Sequence, residues 1–321
     1  MPARIPNFFI AGAPKAGTDA LYYDLDQHPE IYMSPLKEPC YFSSEIRVAA
    51  FEASLQERMH KEAERARRYI AGPMRDKRFG GIISEWEDYL RLFAGAKHEK
   101  LAGEGSVSYL WSKTAARAIA SRVPDAKIVI VLRNPADRAF AQYLKSVSDG
   151  TVSCSFSRHL QACFSYNNEK LGILHPFLEY GMYGEQIARY LSVFSRGQIS
   201  ISLFEEIAEN PSKWLAGICE FLGVSTAFSP EYGRGHYRPN VPRLVRLTQT
   251  AQRVGVWQRA ARYIPDSLKA PLKRAIYRKP QELKMTQEDR ELLRRHYQDD
   301  RRLLEDLLKR DLSIWSAEAR S

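Results

Sequence analysis

The chain has 321 residues, 44% of them hydrophobic, which excludes a disordered segment and suits one large domain, or one domain with an appendage. Lys and Arg number 48 against 38 Asp and Glu, and the resulting charge of +10 favours anionic ligands without choosing among nucleotide, acidic glycan, nucleic acid or membrane surface. The four cysteines stand at no metal-ligand spacing, the seven histidines form no cluster, and no apolar run approaches the ~18–20 residues of a spanning helix, so neither a metal centre nor a membrane span is expected.

Phe8, Phe9 and Ile10 form a short apolar run that breaks into Gly12-Ala13-Pro14-Lys15-Ala16-Gly17-Thr18 and then into a helix over 19–27. Strand, Gly-rich loop, helix is the order that converges backbone N–H groups and a helix dipole on an anion. The Gly-x4-Gly spacing is that of a P-loop, but Thr18 stands where a lysine usually follows the second glycine, and the lysine lies inside the loop, at Lys15. A nucleotide triphosphatase needs that lysine on the β- and γ-phosphates with Mg²⁺ nearby, so this loop reads as one built for a shorter anion.

A second strand is expected at 31–33, followed by Ser34–Phe42, SPLKEPCYF. Neighbours in extended backbone point to opposite faces, so one of Lys37 and Glu38 faces any cleft there. Residues 45–81 differ in composition: a mixed-charge amphipathic helix over 54–69, then a Gly/Pro/Lys-rich loop, which reads either as a wall of an acceptor cleft or as a plain solvated helix. Helices are expected at 85–93 and 112–122, with the motif GEGSVSYL (103–110) between them. Ile128–Leu132 is a continuous apolar run, as a strand buried on both faces requires, and it ends in Arg133-Asn134-Pro135 before a helix carrying Arg138. Arg133 thereby sits at the carboxyl end of a central strand, where open α/β sheets bind ligands. Residues 149–170 are polar and loop-like, a candidate gate, and Cys154 and Cys163 within them are left either paired or as free thiols. A helix at 183–194 and a buried strand at 199–204 follow.

Alternation of strands and helices predicts an α/β fold: a P-loop-like, mostly parallel central sheet flanked by helices. Residues 1–240 are expected to form this core and 241–321 a helical C-terminal region, which carries 19 Lys/Arg against 11 Asp/Glu. One long helix is expected over 286–308, capped by Thr286.

Taken together, these segments resemble the sulfotransferases that use 3′-phosphoadenosine 5′-phosphosulfate (PAPS). PKAGTDAL resembles the family loop PK-(S/A/G)-GT-(T/S)-x-L, and RNPADRAFAQY its strand-end motif R-(N/D)-P-x-(D/E)-R-x-x-S-x-Y. SPLKEPCYF and GEGSVSYL resemble the KE-x-x-(F/Y)-F and GE-x-(S/T)-P-x-Y segments of the glycan and heparan-sulfate branch, and the order and spacing of the family continue to about residue 225. The resemblance implies a cosubstrate site of Lys15, Ala16, Gly17, Thr18, Asp19 and Ala20 around the phosphosulfate, with Arg133, Arg138 and Ala141 toward the 3′-phosphate. A basic loop at Arg234 and Gly235 would close over the nucleotide. Glu38 is implied as catalytic base and Lys15 as the group that stabilises the leaving phosphate, with Lys37 and Tyr41 toward the acceptor. Two positions depart from the pattern: Asp19 replaces Thr or Ser, and Ala141 replaces a serine hydroxyl that would donate to the 3′-phosphate.

Sulfuryl transfer from PAPS to a hydroxyl of a glycan or polar metabolite, by in-line displacement without metal, is therefore the leading expectation. A glutamate at its ordinary pKa of about 4.3 is a weak base for an alcohol unless transfer is concerted with bond making. No nucleic-acid partner is expected. Glycan sulfotransferases of animal cells resemble this core but carry a Golgi anchor, so a chain without one is expected to be a soluble, cytoplasmic, bacterial enzyme. The alternatives are a non-catalytic anion- or nucleotide-binding homologue, which Asp19 and Ala141 favour, and a P-loop kinase, which the missing GK(S/T) disfavours.

Overall fold

A computed structural model describes residues 4–231, 241–242, 277–278 and 284–316. The central sheet has five strands: β1 (Phe8–Ile10), β2 (Ile31–Met33), β5 (Leu101–Gly105), β6 (Lys127–Leu132) and β7 (Ile199–Leu203). They lie in the order β2-β5-β1-β6-β7, with every neighbouring pair parallel. This is the parallel α/β fold that the alternating pattern predicts. Phe8, Phe9, Ile10 and residues 128–132 are almost wholly buried, each large apolar side chain contributing about 1.5–3 kcal/mol. A minor ribbon pairs β3 (Leu36–Lys37) with β4 (Arg78–Phe79).

Helices α1 (Thr18–Asp26), α2 (Ala53–Ala71), α3 (Trp86–Arg91), α4 (Ser108–Trp111), α5 (Ala115–Arg122), α6 (Pro135–Ser148), α7 (Phe156–Ser165), α8 (Tyr183–Leu191), α9 (Phe204–Glu209) and α10 (Pro211–Leu222) connect and cover the strands. α2 buries only Ala63, Ala66 and Ile70 and laces its outer face with ion pairs such as Lys61–Glu57. β5 carries a glycine-interrupted sequence because Gly103 lies under Phe8, where an added Cβ would stand 2.2 Å from the ring.

Two local expectations are corrected. Within 149–170 the chain forms α7, because Phe156, His159, Leu160 and Cys163 make a buried stripe at helical spacing and Ser155 caps its start. Cys154 and Cys163 are both free thiols. The single helix over 286–308 is two, α11 (Gln287–His296) and α12 (Gln298–Leu308), with Tyr297 between them. Tyr297 is buried and donates to Leu178 O (2.9 Å), and its backbone leaves helical geometry there. Thr286 does cap α11, accepting from the Asp289 amide at 3.1 Å.

The C-terminal helices are tied to the core by polar contacts as well as packing. Asp300 accepts from the amides of Gly184 (2.8 Å) and Glu185 (3.1 Å) and so caps α8. Trp315 Nε1 donates to Glu205, whose other oxygen accepts from the Asn134 amide, and Asn134 Nδ2 donates to Trp315 O. Among the described residues, no helix is long and apolar enough to cross a membrane.

Candidate active site

The loop after β1 and the turn after β6 lie side by side because their strands are neighbours. The Ala11 and Ala13 amides donate to Val129 O and Val131 O, each at 2.9 Å, which carries the pairing past the end of β1. The loop then winds tightly, with Lys15 at φ 64 and Gly17 at φ 90. Gly17 is the N-cap of α1 and offers no side-chain cap, so the first-turn N–H groups have no side-chain acceptor. An added Cβ there would meet the Phe204 ring at 3.2 Å, in a backbone region that L-residues avoid. The loop thus sets uncapped backbone donors and the dipole end of α1 beside Lys15 in the chain, the components of an anion cradle.

Arg133 closes the other side. Its guanidinium lies 4.6 Å from the centre of the Phe204 ring, and Nη1 donates to Lys15 O (3.0 Å), locking loop and strand end together. Burial lowers the pKa of Arg133, opposed by Asp137 and Glu205. Burial also lowers that of Lys15, opposed by Asp19 and deepened by Lys145. Lys145, from the last turn of α6, is a cation whose charge acts on Lys15 and which sequence reasoning did not single out. It bonds Asp149, and Lys15 feels both groups as well as Glu38.

The second half of the site is the segment after β3. Lys37 is 1% exposed, and its ammonium lies 2.7 Å from Asp19 Oδ1 and 3.1 Å from Glu38 Oε1. Burial opposes the Lys37 charge, but Glu38 and Asp19 outweigh it and raise its pKa. The departure at Asp19 is therefore matched by a partner: the carboxylate that would repel an anion is held by Lys37. Glu38 keeps a side chain 30% exposed, and its amide donates to Gly105 O (2.9 Å) at the end of β5. Glu38 (φ 63) and Cys40 (φ 56), like Lys15, occupy left-handed backbone without being glycine, the kind of local strain that collects at functional sites.

The remaining expected residues fall as follows. Ala16 and Thr18 are buried inside the loop, and Ala20 lies partly exposed on α1. Arg138 is fully enclosed, donating to Phe177 O (2.7 Å) and Gln142 Oε1 (2.5 Å), a set of contacts that anchors α6. Ala141 is half-buried on the same helix. Tyr41 stacks on Tyr89 at 4.7 Å, and together with Phe42, Arg47 and Arg67 lines a cavity of about 500 Å³ between α2 and α5. Arg234 and Gly235 lie outside the described residues.

Behind the Glu38 segment lies a group whose motif the sequence displayed without a role. Glu104, in β5, is 0% exposed, and burial raises its pKa to about 7 despite hydroxyl donors from Tyr109, Ser106 and Tyr89. A lone Glu within a Gly-rich strand gives no sign of burial; only its recurrence in a family segment could have flagged it.

A family model described as "Sulfotransferase family" matches residues 6–229. A solved sulfotransferase from Alicyclobacillus acidocaldarius is similar over 98% of this chain and 100% of its own, at 30% identity and a TM-score of 0.70. Carbohydrate sulfotransferase 15 of Mus musculus is 25% identical over 273 residues, covering 68% of this chain and 44% of the relative. Bifunctional heparan sulfate N-deacetylase/N-sulfotransferase 1 of Homo sapiens is 28% identical over 243 residues, covering 72% of this chain and 24% of the relative. The chain thus spans less than half the length of these two curated relatives.

Proposed function

We propose that this chain, which belongs to the sulfotransferase family, moves a sulfuryl group from PAPS to a hydroxyl of a glycan or polar small molecule, without a metal. When bound, PAPS would supply an activated sulfur–oxygen bond whose breaking leaves 3′-phosphoadenosine 5′-phosphate. The residues of the chain have three tasks. The first-turn amides of α1 and the Lys15 ammonium hold the phosphosulfate, and Lys15 follows the negative charge that gathers on the leaving phosphate. Arg133, whose planar fork suits a phosphate, takes the 3′-phosphate. Glu38 accepts the proton of the acceptor hydroxyl as the new bond forms.

The observation that carries this reading is the contact of Lys37 with both Asp19 and Glu38. It joins the phosphate-cradling loop to the segment bearing the base, so that donor and acceptor groups are held in one frame. It also weakens one of the two grounds for an inactive homologue, since Asp19 is engaged by a cation; the other, Ala141, it leaves as it was.

The test is transfer of ³⁵S from labelled PAPS to a panel of oligosaccharides and polyols in the presence of EDTA. Label should appear on at least one hydroxylated acceptor, and Glu38→Gln should cut the rate by about 10²–10⁴ while leaving donor affinity within a few-fold. Transfer that needs added Mg²⁺, or that Glu38→Gln leaves untouched, rejects the assignment.

A further inference from the structure

We infer that Glu104 is a positioning residue that holds the Glu38 segment in place, acting on Cys40, Tyr41 and Phe42 through one intervening group each. The Cys40 amide donates to Ser106 Oγ (3.2 Å), and Ser106 Oγ donates to Glu104 Oε2 (2.9 Å). The Phe42 amide donates to the Tyr109 hydroxyl (3.4 Å), which donates to Glu104 Oε1 (2.5 Å). Between them Tyr41 stacks on Tyr89 (4.7 Å between ring centres), and the Tyr89 hydroxyl donates to Glu104 Oε1 (3.2 Å). Three consecutive residues are thereby referred to one buried carboxylate.

The chemistry of the relays sets their direction. Above pH about 7, where Glu104 is ionised, its carboxylate only accepts, so it draws the protons of Ser106, Tyr109 and Tyr89 toward itself. The hydroxyl oxygens then present lone pairs to the Cys40 and Phe42 amides. These amides need such fixing, because Glu38 and Cys40 both hold left-handed backbone without being glycine. The Glu38 amide is separately bonded to Gly105 O, one residue along β5 from Glu104. The end of β5 therefore sets both the start and the continuation of the segment. Ionisable groups near Glu104 are Tyr89, Tyr109, Tyr190, Cys40 and Lys37, and of these Lys37 favours its charge.

A neutral amide at position 104 breaks this arrangement unevenly. Two tyrosine hydroxyls converge on Oε1, so in Glu104→Gln the amide oxygen stays with them and the NH₂ faces Ser106. Ser106 Oγ must then accept from that NH₂, so its proton loses the Glu104 acceptor that oriented it, and its two lone pairs are divided between the new donor and the Cys40 amide. The inference rests on the reading of Glu38 as base only for its catalytic consequence; the positioning itself is a statement about backbone.

The test is amide hydrogen exchange at Cys40 and Phe42 in the full chain, read by NMR, for wild type, Glu104→Gln, Ser106→Ala and Tyr109→Phe. Exchange at Cys40 should quicken about tenfold in Glu104→Gln and Ser106→Ala, and at Phe42 about tenfold in Tyr109→Phe, as the loss of one hydrogen bond implies. The Ala11 amide serves as an unchanged control. Unaltered exchange at Cys40 in Glu104→Gln overturns the inference, whatever Ser106→Ala and Tyr109→Phe do. In the transfer assay, Glu104→Gln should lower kcat with the donor KM unmoved, and adding it to Glu38→Gln should cost little more than Glu38→Gln alone. Faster exchange with fully additive losses in turnover supports the positioning and rejects Glu38 as the base. Failure of wild type to bind or turn over PAPS rejects the proposed function and leaves the exchange result standing by itself.

Discussion

Lys37→Met removes one charge from the point where the two halves of the site meet, and its cost can be worked from the geometry. At 2.7 Å from Asp19 and 3.1 Å from Glu38, the ammonium attracts its partners by about 6 and 5 kcal/mol at an effective dielectric constant of about 20. Desolvation of a lysine 1% exposed offsets much of this, so the pair is a weak source of net stability while intact. Breaking it is another matter, since Asp19 and Glu38 lose the ammonium that both of them contact, and Lys15 is the cation left near them. Removal of one partner from a buried pair costs about 3–5 kcal/mol, and the low end applies here because Asp19 and Glu38 are 35% and 30% exposed. A loss of about 3 kcal/mol lowers the melting temperature of a chain of this size by roughly 4–5 °C. The pKa of Lys37 lies above the ordinary 10.5, so its contribution is complete at neutral pH and is lost only as pH rises past that value. Urea unfolding at pH 7.5 is therefore the assay. Asp19→Asn in the Lys37→Met background should restore at least about 1 kcal/mol, because it removes one of the stranded charges. A Lys37→Met protein within about 0.5 kcal/mol of wild type, or strict additivity in the double variant, would refute the reasoning.

Gly17→Ala places a Cβ 3.2 Å from the Phe204 ring at φ 90, and should cost about 1–2 kcal/mol in urea unfolding and weaken binding of 3′-phosphoadenosine 5′-phosphate about tenfold; unchanged affinity contradicts the cradle. Glu104 binds a proton in the native state up to pH about 7 but in the unfolded state only up to about 4.5, so native stability falls as pH rises through that window, by about 3 kcal/mol. The stability of Glu104→Gln relative to wild type should thus improve by that amount between pH 5 and 7.5, and a constant difference contradicts the buried titration. Asn134→Ala deletes the acceptor for the Ala136 and Asp137 amides and the donor to Trp315 O, at a cost of about 1–2 kcal/mol, whereas Asn134→Asp keeps the cap and loses less; equal losses would place the whole effect on the Trp315 contact.

What could be read from the sequence was whatever a continuous stretch of chain specifies. The apolar runs at 8–10 and 128–132, and the turns that end them, gave β1, β6, the loop and Arg133, because a strand buried on both faces leaves a plain signal. β5 left none: LAGEG carries two glycines and a glutamate, since Gly103 makes room for Phe8 and Glu104 serves as a hydrogen-bond hub. Neither demand is local. The break at Tyr297 likewise depends on a carbonyl at Leu178, far away in sequence, and so the leucine pattern ran through it unmarked. Asp19 shows the same limit from the other side: it read as a defect in the loop, and its partner Lys37 is supplied by another strand. Lys145, whose charge acts on Lys15 from the far end of α6, stands at a position that no spacing from Arg133 would pick out.

The central claim is that the loop of Lys15 and the turn of Arg133 form a site for a 3′,5′-bisphosphorylated adenosine. Calorimetric titration with 3′-phosphoadenosine 5′-phosphate in magnesium-free buffer, on wild type and Lys15→Ala, tests it most directly. Wild type should bind with a stoichiometry of about one, and Lys15→Ala should weaken binding about 10–100-fold, as loss of a charge-assisted contact to the anion implies. Absence of binding to wild type, or equal affinity in the two proteins, would contradict the account.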